Sequence, residues 1–223
     1  MTTRAVYDVG IPFPRIATYG ARRTHPHASL SILMTRLPGT TLFGSLWEWF
    51  TPEERQTATQ QQKDILGFIR CWSRHSSAKS ALIRSIVGTS IRSNRVPFCS
   101  MTPCSDQSEL NRRLIEPADS SIDDSESRRA CVDQLDSTRH DIVFTHGDIA
   151  PHNIRVLHDG RIGRLIDWEA AGYYPEYWEY TTGYGVAKQG WWFDLVRELA
   201  GGNYTKEHRG DLARWVLTNG TMI

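Results

Sequence analysis

The chain has no hydrophobic run long enough to cross a membrane, no excess of charge of either sign, and no paired cysteine motif. It has 223 residues with 26 basic and 25 acidic side chains, and its opening stretch MTTRAVYDVGIPFP has no apolar signal-peptide core. A net charge of +1 provides no overall field that would attract nucleic acid or an anionic membrane. We therefore expect a cytoplasmic protein without a nucleic-acid or membrane partner.

Cysteine usage points to a reduced chain rather than a disulfide scaffold. The four cysteines are Cys71, Cys99, Cys104 and Cys131, and none of their spacings is C-x-x-C. In a chain long enough to bury a sizeable core, this pattern is typical of free thiols in an intracellular compartment.

Local patterns predict a strand, a helix and a polar segment in the first 130 residues. The stretch SLSILMTRLPGTTL predicts an apolar strand at 30–34 that ends before Pro38-Gly39. Thr51, Pro52 and Glu54 form a capping-box pattern that begins a long helix. Residues 73–130 are rich in Ser, Arg, Asp and Pro, so we expect loops with short helices that bury little.

A β-hairpin is predicted after the buried strand DIVFTH. The apolar runs NIRVL and IGRLIDW flank Asp159-Gly160, which predicts a two-residue type I′ turn with positive φ at both positions. Such a turn places Asn153 opposite Ile166 and therefore beside Asp167. The open end of the hairpin would then gather side chains that are far apart in sequence.

Three polar side chains are expected to converge at this open end. Asp148 lies in the loop FTHGDIAPHN that enters the hairpin, and Asn153 and Asp167 flank its two strands. Carboxylate and amide oxygens are hard ligands that suit Mg²⁺. Two alternatives remain open: a polar turn with capping residues, and a metal hydrolase built on His146, Asp148 and His152.

The motifs HGDIAPHN and IDWEAAGYYP resemble those of the aminoglycoside phosphotransferase family, which is related to the protein kinases. The segment ILMTRLPGTTL is similar to the hinge strand of that family, and the resemblance spans roughly residues 9–200. It implies an α+β fold with a kinase-like C-terminal lobe that is mainly helical around a catalytic β-hairpin. A remnant of the N-terminal lobe and the hinge would occupy residues 1–40, with the helical catalytic lobe at 41–223.

The resemblance also implies roles for individual residues. Asp148 would be the catalytic base, and His146 would fix the catalytic loop through hydrogen bonds. Asn153 and Asp167 would hold Mg²⁺ that bridges the phosphates of ATP or GTP, and the acceptor would be a hydroxyl of an unidentified small molecule. The adenine would bind the hinge backbone at four positions: Met34, Thr35, Arg36 and Leu37.

The chain departs from the family pattern before the hinge. No lysine precedes Lys63, no glutamate precedes Glu48, and no glycine-rich loop lies upstream of residue 30. Kinase-like enzymes place a phosphate-binding Lys, its Glu partner and a covering loop there. We therefore expect weak nucleotide binding and very low activity in this chain, either because it is a shortened piece of a phosphotransferase or because it is a natural truncated homologue. The alternative is a non-catalytic pseudokinase-like module that binds a protein partner.

Overall fold

A computed structural model describes most of the chain. The described residues are 16–20, 31–75, 82–93, 95–96, 100–116, 125–186, 189–201 and 203–219. Large parts of the predicted N-terminal lobe remnant, residues 1–15 and 21–30, lie outside this description.

Ten short strands in the described ranges form four small antiparallel sheets. The pairs and triplets are β1 (Ile16–Gly20) with β2 (Ser31–Met34); β3 (Thr40–Thr41) with β8 (Ile154–Val156) and β9 (Ile162–Leu165); β4 (Arg84–Ser85) and β7 (Ile142–Thr145) on either side of β10 (Gly172–Pro175); and β5 (Ile91–Arg92) with β6 (Ser100–Met101).

Seven α-helices complete the described fold. They are α1 (Gly44–Trp49), α2 (Pro52–His75), α3 (Gln107–Ile115), α4 (Ser125–Asp136), α5 (Trp178–Val186), α6 (Trp191–Leu199) and α7 (Thr205–Asn219). In this part of the chain, none of them is both long and apolar enough to span a membrane.

Helix α2 begins where the capping box predicts. The Thr51 amide donates to Glu54 Oε2 at 2.8 Å, and the Glu54 amide donates to Thr51 Oγ1 at 3.2 Å. These reciprocal bonds satisfy two backbone donors that an uncapped helix would leave unpaired. The helix then supports the predicted hairpin, because Gln61 Oε1 accepts a 2.8 Å hydrogen bond from the Ile162 amide.

The predicted first strand is confirmed over Ser31–Met34, and its residue 30 lies outside the description. After Pro38-Gly39 the chain pairs with the hairpin through β3 and β8. Arg155 fastens this junction by donating to the Gly39 carbonyl and, at 3.0 Å, to Thr41 Oγ1. Gly39 has a φ of 91°, and a Cβ there would collide with the Val156 carbonyl oxygen. The segment 34–37 is therefore followed directly by a strand, β3, that pairs with strand β8 of the hairpin.

Two hydrophobic cores hold the described fold together. The larger packs α2, the hairpin, α5 and α6 around side chains such as Phe144, Ile154 and Trp168. The second consists of buried residues from the segment expected to bury little and from the aromatic run that follows: Ile83, Ile91, Val96, Met101, Cys104, Leu110, Leu114, Tyr174, Tyr177 and Trp178.

For the described residues of the segment 73–130, the expectation that they bury little was therefore wrong. Their apolar side chains are too widely spaced to form a periodic pattern, but short strands and α3 bring them against the aromatic residues. Of the cysteines in the described ranges, Cys71 is exposed and Cys104 is buried. Cys99 lies outside the described residues, as does the side chain of Cys131.

A buried glutamine beneath the loop at 144–153 offers a stability test. Gln62 is 2% exposed, and both atoms of its amide lack a hydrogen-bond partner. It contacts an apolar pocket formed with Leu66, Ile149 and Leu165. We expect Gln62→Leu to raise the free energy of unfolding by about 1–3 kcal/mol, since an unpaired buried amide costs about that much.

Urea denaturation measures this effect, and Gln56→Leu is the matched control because Gln56 is exposed on the same helix. The control should change stability by less than about 0.5 kcal/mol. A loss of stability in Gln62→Leu would contradict the idea that the amide is unsatisfied.

Candidate active site

The hairpin has the predicted register at its open end. Ile154 pairs with Leu165, and the Ile166 amide donates to the Asn153 carbonyl at 2.8 Å. Asn153 therefore lies opposite Ile166, as the sequence indicated. The polar residues that flank the two strands are adjacent in space.

The turn itself differs from the prediction. Leu157 and Arg161 close a three-residue loop through a 2.8 Å hydrogen bond, and of the loop residues 158–160 only Gly160 has a positive φ, at 78°. A type I′ turn was therefore wrong. The extra loop residue is compensated by a bulge at Gly163, which restores the expected pairing beyond it.

His146 is held by backbone groups of its own loop and of the hairpin. Its ring is fully buried, with Nδ1 accepting from the Asp148 amide at 3.3 Å and Nε2 donating to the Ile166 carbonyl at 2.8 Å. Burial lowers the pKa of His146 to about 4, so the imidazole is neutral. Both nitrogens are engaged with the backbone, which leaves none to bind the ion that a metal hydrolase would need.

Asp148 and Asn153 face each other across the catalytic loop. Asn153 Nδ2 donates to the carbonyl and to Oδ2 of Asp148, both at 2.9 Å. Burial raises the pKa of Asp148, and the charge of Asp167 adds to this, while the Asn153 hydrogen bond and His152 oppose it. A half-buried carboxylate with a raised pKa and an ordered neighbour is suited to accepting a proton.

Asp167 is exposed, whereas the next residue, Trp168, is buried in the core. The φ of Asp167 is 61°, a left-handed conformation that Asp tolerates at some cost. The Nε1 of Trp168 donates to the Leu165 carbonyl at 3.0 Å. Asp167 therefore presents an exposed carboxylate directly after Ile166, the residue that pairs with Asn153.

The available ligands suit magnesium better than zinc. Asn153 uses its amide NH₂ on Asp148, so its oxygen is the atom it can offer a cation, alongside the Asp167 carboxylate. Throughout the described ranges, no group of three or more His, Cys, Asp or Glu is placed to hold a metal ion. Two hard oxygen ligands from the protein, completed by phosphate oxygens, are typical of Mg²⁺.

Glu179 is a residue that the sequence reading missed. Its Oε2 accepts from the amides of His146 at 2.7 Å and Gly147 at 3.3 Å, while Oε1 is buried without a partner. Glu179 therefore fixes the backbone that leads to Asp148. The available signal was the placement of Glu179 among the aromatic residues of the run YPEYWEY, because a carboxylate buried there needs a specific partner.

Burial raises the pKa of Glu179 to about 7, from an ordinary 4.5. Between pH about 4.5 and about 7 the folded state holds this proton and the unfolded state releases it. The free energy of unfolding should therefore fall as pH rises through this window, by about 3 kcal/mol in total. Glu179→Gln cannot ionise and should lack this contribution.

Urea denaturation of wild type and Glu179→Gln at several pH values measures the difference. Glu116→Gln removes an exposed carboxyl from the C-terminal end of α3 and should keep the wild-type slope. The same pH slope in Glu179→Gln and wild type would show that Glu179 does not titrate in this range.

The predicted nucleotide-binding backbone lies between the first two sheets. Residues 34–37 begin at the end of β2, where Met34 pairs with Ile16, and lead through Gly39 to β3 on the hairpin. Met34 and Arg36 are exposed, and Leu37 is half-buried. The segment is thus joined to the catalytic hairpin through a short connection.

The chain is similar to known phosphotransferases in sequence pattern and in fold. The model of the phosphotransferase enzyme family matches residues 2–213. A thermostable mutant of aminoglycoside phosphotransferase APH(4)-Ia, in a ternary complex with ADP and hygromycin B, has a TM-score of 0.61 at 14% identity, over 98% of this chain and 76% of that one. No curated protein sequence matches the chain.

Two further solved structures are similar. The GDP complex of aminoglycoside 2′-phosphotransferase-IIIa has a TM-score of 0.60 at 12% identity, covering 97% of this chain and 70% of that one. APH(3″)-Id of Streptomyces rimosus, with ADP and streptomycin, has a TM-score of 0.54 at 14% identity, covering 97% and 79%. These likenesses establish a shared protein kinase-like fold.

Proposed function

Because the chain belongs to the phosphotransferase enzyme family, we propose that it transfers the γ-phosphoryl group of ATP or GTP to a hydroxyl of a small molecule in the cytoplasm. The observation that carries the proposal is the pairing of Asn153 with Ile166, which gathers Asp148, Asn153 and Asp167 at one end of the hairpin. Phosphoryl transfer needs positioned charges more than covalent participation, and this arrangement supplies them.

In the proposed reaction, Asp148 accepts the proton of the attacking hydroxyl. The Asn153 amide orients the Asp148 carboxylate by hydrogen bonding to Oδ2. Asn153 and Asp167 would hold Mg²⁺, which would neutralise phosphate charge. His146 keeps the loop in shape through its two backbone contacts. Residues 34–37 receive the purine base along the hinge.

Nucleotide binding by this chain is proposed to be weak. Its first lysine is Lys63, within α2, so no lysine lies on β1 or β2 to bind the phosphates. We expect turnover below the range of about 1–100 s⁻¹ that is usual for kinases. The same feature motivates the second candidate, a pseudokinase-like module that binds a partner without catalysis.

A thermal shift series tests the nucleotide site. Mg²⁺ with ADP or GDP at saturation should stabilise the chain, by up to about 2.7 kcal/mol at a hundredfold excess over Kd. Asp167→Ala should reduce the shift, while Asp194→Ala, an exposed site on α6, should not.

Stabilisation, together with phosphoryl transfer when ATP or GTP replaces the diphosphate, would support the enzyme. Stabilisation without such transfer would support the module. No stabilisation by either nucleotide would contradict the proposed site. Similar structures contain hygromycin B and streptomycin, which makes these two compounds the first acceptors to assay.

A further inference from the structure

Arg95 joins the second core to the helix that carries Glu179. The Arg95 side chain is 9% exposed, and its Nη1 donates to the Trp178 carbonyl at 3.1 Å and to Thr182 Oγ1 at 2.7 Å. Its guanidinium lies over the Trp178 indole, 3.9 Å from the ring centroid. Through these contacts, Arg95 holds the N-terminal part of α5 in place. Arg95 itself is not part of the β8–β9 hairpin.

The position of this cation is unfavourable by itself. A positive charge near a helix N-terminus opposes the helix dipole, and a buried charge needs a partner. Asp211 of α7 provides one at 2.8 Å, and Arg214 donates to the Arg95 carbonyl at 3.3 Å. Well-packed apolar residues of similar volume often give equal or greater stability than a buried ion pair. The Arg95–Asp211 pair therefore points to a role in fixing the position of α5 rather than in raising stability.

The residue after Trp178 is Glu179, whose carboxylate accepts from the amides of His146 and Gly147. We propose that Arg95 is a positioning residue for the catalytic loop, acting through the first turn of α5 and the Glu179 carboxylate. The chain of contacts runs from Asp211 through Arg95 and α5 to the loop that presents Asp148. Its consequence for catalysis rests on the proposed function, but the positioning itself does not.

Amide hydrogen exchange tests the positioning without any substrate. Arg95→Met keeps a long side chain but removes every donor, so the amides of His146 and Gly147 should exchange at least about tenfold faster, as expected for the loss of about 1.4 kcal/mol of local protection. The Ile166 amide, bonded to Asn153 within the hairpin, should be unchanged. Arg95→Lys should restore part of the protection.

Two matched variants sharpen the test. Arg92→Met removes an exposed arginine from the same segment and should leave all these amides at wild-type rates. Asp211→Asn removes the charge that pairs with Arg95 but keeps a hydrogen-bond acceptor, so it should give a smaller change in exchange at the same two amides. This variant provides the test if Arg95→Met does not fold. In the Arg95→Met/Glu179→Gln double variant, the exchange effects should be less than additive because both changes act on one path.

The outcomes separate the inference from the function proposed above. Unchanged exchange at His146 and Gly147, or an equal increase at every core amide, would overturn the positioning role. If a phosphoryl acceptor is found, Arg95→Met should lower kcat with little effect on the KM for nucleotide. Local exchange changes in a chain without any transferase activity would support the role of Arg95 and contradict the enzyme.

Discussion

Asp148→Asn is expected to lower the rate of phosphoryl transfer by about 10²–10⁴-fold, the usual contribution of a positioned general base. The substitution preserves shape, and the neighbouring Asn153 amide can still donate to the new side-chain oxygen, so the fold and the nucleotide Kd should change little. What is lost is the carboxylate that accepts the hydroxyl proton. Single-turnover assays with saturating nucleotide measure the chemical step.

Asp159→Asn is the matched control, because it makes the same change in the turn of the same hairpin, where Asp159 contacts Arg161. It should retain wild-type transfer. Burial raises the pKa of Asp148, so transfer by wild type should fall on acidification as this base takes up a proton. An Asp148→Asn variant with undiminished transfer would remove Asp148 from the mechanism.

Gly147→Ala is expected to destabilise the fold and to displace the catalytic loop at the same time. Gly147 has a φ of 83°, and a Cβ there would overlap the Ala170 carbonyl oxygen. A left-handed alanine costs about 1–2 kcal/mol and overpacking about 1–3 kcal/mol, so we expect a loss of roughly 2–5 kcal/mol. Relief of the overlap would move the Gly147 amide away from Glu179 and with it the adjacent Asp148.

Chemical denaturation gives the stability, and Gly185→Ala is the control. A Cβ at Gly185, in helix α5, would meet no atom within 4 Å, so this variant should be neutral or gain up to about 1 kcal/mol from helix propensity. Wild-type stability in Gly147→Ala would mean that the loop does not lie against the Ala170 carbonyl.

The sequence predicted the features that depend on neighbours along the chain. Thr51 and Glu54 defined the start of α2, and the alternation around Asp159-Gly160 placed Asn153 opposite Ile166. The family and the kinase-like fold are confirmed by the family match and the similar structures. The turn type was wrong because dipeptide preferences do not reveal a bulge farther along the strand.

The features that the sequence did not reveal depend on contacts between distant segments. Glu179 matters because the loop after β7 places two backbone amides next to its carboxylate, and no local sequence pattern predicts this contact. Arg95 looked like one more polar residue in a charged segment. Its burial follows from the second core, whose apolar members come from separate short elements.

The bulge at Gly163 lies between the turn of the hairpin at 158–160 and its open end at Asn153 and Ile166. A Cβ at Gly163 would lie 2.9 Å from Leu157 Cδ2, so a larger residue there would require the Leu157 side chain to shift. An insertion at residues 158–160 would lengthen the far loop while the pairing beyond the bulge keeps Asn153 and Asp167 in place. This turn is therefore a suitable attachment point for a fluorescent reporter or an affinity tag in a working protein, and a site where homologous chains could vary in length without altering their chemistry.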